Sequence, residues 1–161
     1  MSSHLIPTEA EKSVSYKEIK LSCTAFKENE FIPARYTCEG KDISPALNID
    51  HIPEKTQSLA IIMDDPDAPA GTWVHWVLWN IPVTHHLKEN TRAGIAGIND
   101  FGKNSYGGPC PPKGTHRYFF KVYALDCILN LPPGIGKSQL EKAMSEHIIG
   151  FGELIGLYKR D

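Results

Sequence analysis

The chain has four cysteines, but no two stand at the C-x-x-C spacing. A zinc ribbon or a thioredoxin-like redox motif is therefore disfavoured, and no other motif calls for a metal or a cofactor. No apolar run approaches the ~18 residues needed to cross a bilayer, so no membrane span is expected. A basic excess is also missing: 17 Lys and Arg stand against 19 Asp and Glu, for a net charge of −2. Nothing is left over to neutralise a phosphate backbone, which argues against nucleic-acid binding. The opening MSSHLIPTEAEKSVSYKEIK lacks the apolar segment and the small-residue cleavage site of a secretory signal. A cytoplasmic location is expected on that basis. Neither Ser nor Cys sits in a strand-to-helix nucleophile elbow, so no catalytic residue is assigned and the protein reads as a non-enzyme.

What is present describes one ordinary globular domain. The 161 residues are 41% apolar and 22% charged, and the 13 glycines and 12 prolines are spread along the chain rather than pooled in a linker. Residues 1–14 read as a loose arm and 15–161 as a single domain. Short β-branched and aromatic runs punctuated by Pro, Gly, Asn and Asp predict a mainly β protein. The clearest strands are Ser58–Asp64, Trp73–Ile81 and His116–Leu125, with Ile19–Ala25 first and the tail ELIGLYKRD last. Trp73, Trp76 and Trp79 have helical spacing, but their run is short, rich in Val and Trp, and bounded by Gly71 and Pro82. It reads instead as a central strand, apolar on both faces. One helix is signalled, with Ser138 as cap, Glu141 completing a capping box, Leu140, Ala143, Met144 and Ile148 on one face, and Gly150 and Gly152 as the stop. His147 then falls on the apolar helix face as a packed or partly exposed histidine, and His85 and His86 in a solvated loop. Cys23 and Cys127 lie in strand-like runs and are expected in the core, whereas Cys38 and Cys110 lie in loops.

Chemistry-bearing residues gather at strand ends. His116 and Tyr118 share a face at the start of their strand, since residues two apart point the same way. Just before them the loop from Tyr106 to Thr115, YGGPCPPKGT, is able to bring backbone amides close to a ligand. Asp65 and Asp67 sit in the Pro-stiffened exit of an apolar strand, and His75 follows at the start of the next. If these ends meet, they form a pocket for a small oxyanion, because a bound anion holds histidine protonated near neutrality. Asp67 reads as the structural member, in an Asx-turn. Asp65, His75 and His116 also resemble a two-His-one-carboxylate metal triad, but a phenol and an amide-rich loop suit an anion better, and no metal is assigned. Cys110 is the one nucleophile worth weighing, and a structural or redox role is favoured for it over catalysis.

Three stretches together resemble the phosphatidylethanolamine-binding protein family, which includes the Raf kinase inhibitor proteins. They are Asp65-Pro66-Asp67-Ala68-Pro69, then Trp73-x-His75-Trp76, then Gly107-Gly108-Pro109-Cys110-Pro111-Pro112-Lys113-Gly114 leading to His116-Arg117-Tyr118. Ile32-Pro33-x-x-Tyr36-Thr37-Cys38-x-Gly40, Asp42-Ile43-Ser44-Pro45 and the ending Glu153–Arg160 are similar to its bacterial and archaeal branch. The resemblance implies a large antiparallel sheet packed on a smaller one, with a few peripheral helices. It implies a binding pocket for phosphate or carboxylate groups, such as a phospholipid head group, formed by Asp65, His75, Gly108, Pro109, Cys110, Pro111, Pro112, His116, Tyr118 and Tyr158. It further implies that Cys38 and Cys110 come close enough to cross-link as a redox pair. Two other roles remain open: inhibition of a kinase or serine protease through surface loops, and weak hydrolysis of phosphoesters. A homodimer is compatible with a small β protein that has sheet edges to cover.

Overall fold

The computed structural model describes residues 16–160. The arm expected over residues 1–14 lies outside the described residues. Nine strands and one α-helix are present among them: β1 (Lys17–Glu18), β2 (Lys20–Ser22), β3 (Leu47–Asp50), β4 (Ser58–Asp65), β5 (Trp73–Ile81), β6 (His86–Leu87), β7 (Ile95–Ala96), β8 (His116–Leu125), α1 (Lys137–Met144) and β9 (Ile148–Tyr158). They form a six-stranded sheet in the order β1-β9-β8-β4-β5-β7 and a three-stranded sheet in the order β2-β3-β6. The large sheet is antiparallel except at its edge, where β1 runs parallel to β9.

Two cores follow from the alternation of side chains. Leu59, Ile61 and Met63 of β4, with Tyr118, Phe120 and Val122 of β8, face the small sheet and meet Leu21, Leu47, Ile49 and Leu87. Ala60, Ile62, Val77, Trp79 and Tyr123 face the other way and are covered by Leu140 and Met144 of α1 and by Leu129. The central strands are thus buried on both faces, which is why β5 reads as apolar throughout.

The ends of some elements differ from the sequence expectation for local reasons. The first strand is not continuous over Ile19–Ala25. Of these residues only Lys20–Ser22 form a strand, β2 of the small sheet, while β1 of the large sheet lies just before them, with buried Ile19 at the crossing and its N–H donating to Phe151 O at 2.9 Å. The helix starts before Ser138: Gly136 is the cap residue, and its N–H is satisfied by the Gln139 side chain at 2.8 Å. Its first residue, Lys137, is buried against Asp64, which draws the first turn onto the sheet. The helix ends at Met144, because Ile148 pairs with Leu125 as the first residue of β9. Gly150 and Gly152 therefore lie inside a strand rather than at a helix stop. A Cβ on Gly152 would stand 2.3 Å from Ile19 O, so the glycine permits the close crossing of the chain from sheet to sheet. Cys23 is buried as expected, whereas Cys127 is only partly so.

Candidate functional site

Antiparallel pairing of β4 with β8 brings the end of one strand to the start of the other, so Asp65 meets His116. The pairing of β4 with β5 is irregular at this place: Met63 faces Trp76 and Asp64 faces Val74, which leaves His75 as the extra residue of a bulge. A bulge re-aims the side chain it carries. Here it turns His75 toward Tyr118, with ring centroids 5.2 Å apart and edge to face. His116 stacks on Tyr118 with ring centroids 6.4 Å apart. These side chains line a cavity of about 290 Å³, together with Ala68, Pro69, Trp73, Phe101, Cys110, Pro111 and Pro112.

The hydrogen bonds assign the imidazole protons. His75 Nδ1 lies 2.6 Å from the Gly107 carbonyl oxygen, which only accepts, so Nδ1 carries hydrogen. His116 Nδ1 lies 2.6 Å from Asp65 Oδ2 and donates to it. Each ring keeps Nε2 for a ligand. Burial lowers the pKa of His75, opposed by its Gly107 contact and by the charge of Asp65, so the neutral ring is favoured in the empty cavity. The Tyr118 hydroxyl is fully buried and has no hydrogen-bond partner of good geometry, although the Cys110 amide lies near enough to favour its ionised form. Burial and the Asp65 charge outweigh that amide and keep the phenol protonated. It is a donor waiting for an acceptor.

The loop amides are mostly committed elsewhere. Gly107 N–H donates to His75 O at 3.0 Å, and Gly108 N–H donates to Asp42 Oδ1 at 2.7 Å. Pro109, Pro111 and Pro112 have no N–H, which leaves the Cys110 amide, close to the Tyr118 oxygen, as the donor of this segment next to the cavity. Gly108 is instead a close-approach residue: a Cβ there would stand 2.3 Å from Tyr36 O. Gly108 and Pro109 thus stand behind the wall, with Pro109 O accepting from Cys38 N–H at 3.1 Å. Tyr158 is also off the cavity; its hydroxyl donates to Glu39. Asp65, His75, Cys110, Pro111, Pro112, His116 and Tyr118 are brought together. Cys38 and Cys110 are joined as a disulfide, Cα to Cα 5.5 Å, which ties the loop to the Thr37–Gly40 turn.

Asp65 does two jobs. Its Oδ1 accepts the Asp67 N–H at 2.7 Å, so the Asx-turn expected of Asp67 belongs to Asp65. Asp67 instead holds Arg117 through Nε at 2.9 Å and Nη2 at 2.8 Å on the outer surface. Phe101 is absent from the sequence motifs, and Trp73 and Arg160 appear in them without a place at the cavity. Phe101 packs edge to face on His75 at 5.3 Å and on Trp73 at 5.5 Å. Its loop is held by Asn99, whose Oδ1 accepts from Phe101 N–H and Lys103 N–H. Arg160 donates to Pro111 O at 2.9 Å, and its charge reaches Tyr118.

Comparison with known proteins identifies the family and the fold. The family model described as phosphatidylethanolamine-binding protein matches residues 22–159. A UPF0098 protein of Pyrococcus horikoshii is 53% identical over 148 residues, covering 85% of this chain and 75% of that one. The crystal structure of a putative phosphatidylethanolamine-binding protein homolog from Chlamydia trachomatis superposes with a TM-score of 0.87 at 39% identity, covering 90% of this chain and 99% of the other. That of Escherichia coli YbcL, described as a new member of the mammalian family, gives 0.82 at 29% identity, covering 89% and 99%.

Proposed function

Since this chain belongs to the phosphatidylethanolamine-binding protein family, we propose that its cavity binds the phosphate or carboxylate group of a small ligand, a phospholipid head group among them, as a non-catalytic binding module. One observation carries the reading: a buried phenol whose O–H has no acceptor packs against two imidazoles whose Nδ1 atoms are already committed.

The electrostatics define how an anion enters. Asp65 is a buried acid, and the neutral form of His75 is favoured, so the lining by itself does not attract negative charge. A phosphate or carboxylate is therefore taken up together with a proton. The proton rests on an imidazole Nε2, which then donates a charge-assisted bond, or on the ligand as a P–OH donating to that nitrogen. Tyr118 O–H and the Cys110 N–H supply neutral donors. Trp73, Phe101, Pro69, Pro111 and Pro112 give the remaining wall an apolar character suited to the organic part of the ligand. In a cytoplasmic setting, the location the sequence suggests, the Cys38–Cys110 bond would make the loop wall sensitive to thiol poise.

Titration with inorganic phosphate and with phosphoethanolamine at pH 6 and pH 8 tests the reading. Affinity rises at least tenfold at the lower pH and disappears in a His75→Ala/His116→Ala double variant. Equal affinity for the intact protein and that variant would falsify it.

A further inference from the structure

We infer that Asp126, Cys127 and His147 form a binding site for a zinc-type divalent cation at the far end of the large sheet from the cavity. The ligand atoms of the three side chains all lie within 4.8 Å of one another. They sit roughly 30 Å along β8 from His116, at ~3.3 Å per strand residue, so this site is independent of the anion-binding reading.

The backbone already brings the donors together. Asp126 and Cys127 follow the last residue of β8, and His147 precedes the first residue of β9. These strands pair at Leu125 and Ile148, and the Asp126 N–H donates to His147 O at 3.0 Å. The His147 N–H is held by Met144 O at 2.8 Å, and Cys127 O accepts from Ser58 Oγ at 2.7 Å. Folding has therefore met the cost of assembling the three residues. Only side-chain rotations remain for an ion to organise.

The donor set suits zinc. A thiolate, an imidazole and a carboxylate are the ligand types that Zn²⁺ takes, at about 2.3, 2.0 and 2.1 Å, which puts neighbouring donors about 3.5 Å apart on a tetrahedron. The observed spread closes to that value by rotation of side chains that are exposed or half-exposed. A thiolate in the set disfavours Mg²⁺ and Ca²⁺, which prefer oxygen throughout. With three protein ligands, the fourth position stays open to water or to a donor from a partner. Asp126 Oδ1 and His147 Nδ1 are 2.9 Å apart, and a plain surface ion pair accounts for these two. It does not account for the free thiol of Cys127, whose sulfur lies within 4.8 Å of both. On binding, Zn–S, Zn–N and Zn–O bonds form, the Cys127 S–H proton passes to solvent, and the His147 proton moves to Nε2. No oxidant or reductant is needed.

The experiment titrates the metal-free full chain with Co²⁺ and then Zn²⁺. One Co²⁺ binds per chain with a sulfur-to-metal charge-transfer band, and equimolar Zn²⁺ displaces it. The band is lost in Cys127→Ser, and Zn²⁺ affinity falls at least tenfold in His147→Ala, measured by competition with a chromophoric chelator. In the unsubstituted protein, Zn²⁺ also slows iodoacetamide alkylation of Cys127 at least tenfold, read by peptide mass spectrometry, so the test stands even if a variant fails to fold. Absence of the band, its survival in Cys127→Ser, unchanged Zn²⁺ affinity in His147→Ala, or unprotected alkylation overturns the proposal.

Discussion

His116 donates through Nδ1 to Asp65 Oδ2 at 2.6 Å, while the other oxygen of Asp65 accepts the Asp67 N–H. One carboxylate thus fixes both the turn after β4 and the orientation of an imidazole on β8. The carboxylate accepts directly from the ring, so it offers the counter-charge when His116 takes up the proton that accompanies an anion. Asp65→Asn keeps an acceptor for Nδ1 but removes the charge. Phosphate binding at pH 6 weakens at least tenfold in this variant, measured by calorimetric titration. Equal or tighter binding sinks the assignment of Asp65 as the group that supports a charged His116.

His75 gives the protein a pH-dependent stability. Burial lowers its pKa, so on acidification the unfolded chain binds the proton first. The stability from this group is fully present above the ordinary histidine value of about 6.5 and is lost as the pH falls through the lower value of the folded state. The Tm accordingly falls between pH 7 and pH 5. Phosphate added at pH 6 restores part of the loss, since an anion at Nε2 favours the imidazolium. In His75→Gln the slope is shallower and the restoration smaller. Thermal scans with and without phosphate check this, and identical slopes for the two proteins contradict it.

On the opposite face of the sheet, Asp64 binds two buried lysines, Lys121 at 3.1 Å through both oxygens and Lys137 at 2.6 Å. Burial pushes Lys121 down to about 8 against the opposing pull of Asp64. Removing the shared counter-charge leaves two ammonium groups in the interior. Asp64→Ala destabilises the fold by about 3–5 kcal/mol, the usual cost of breaking a buried pair. Urea denaturation at pH 7 measures it, and a loss under 1 kcal/mol shows that the cluster is not a structural tie.

The Cys38–Cys110 disulfide closes a loop of sequence separation 72. Chain entropy alone then gives about 4 kcal/mol of stabilisation. Reduction, or the Cys38→Ser/Cys110→Ser double variant, lowers the denaturation midpoint correspondingly. It also weakens anion binding by loosening the Cys110–Pro112 wall. Thiol counting before and after reductant accompanies the denaturation series, and four free thiols in the untreated protein remove the premise.

The long strands were legible because their signal is local. Trp73–Ile81 and His116–Leu125 have the expected bounds, and β4 runs one residue further than expected. The helix start was misplaced because Ser138 makes a good local cap, while the deciding contact, Lys137 with Asp64, is 73 positions away in sequence. Division of the first strand between two sheets depends on Gly152 and Ile19, which no short window holds together. Of the cavity, Asp65, His75, His116 and Tyr118 were legible through motifs at strand ends. Phe101 was not, since it sits in a polar loop whose shape comes from Asn99. The commitment of the Gly107 and Gly108 amides was hidden for the same reason: glycine advertises permissive backbone, not whether its N–H is already in use.

Asp64 and Asp65 are adjacent on one strand, yet one answers to lysines of β8 and α1 and the other to an imidazole in the cavity. Sliding β4 by a single residue would carry either Pro66 into the place of Asp65 or Met63 into the place of Asp64, so one face or the other would lose its acid. The doublet therefore acts as an alignment key: misaligned sheets are penalised electrostatically, and the chemistry of the cavity and the correct assembly of its scaffold are selected by the same two consecutive letters.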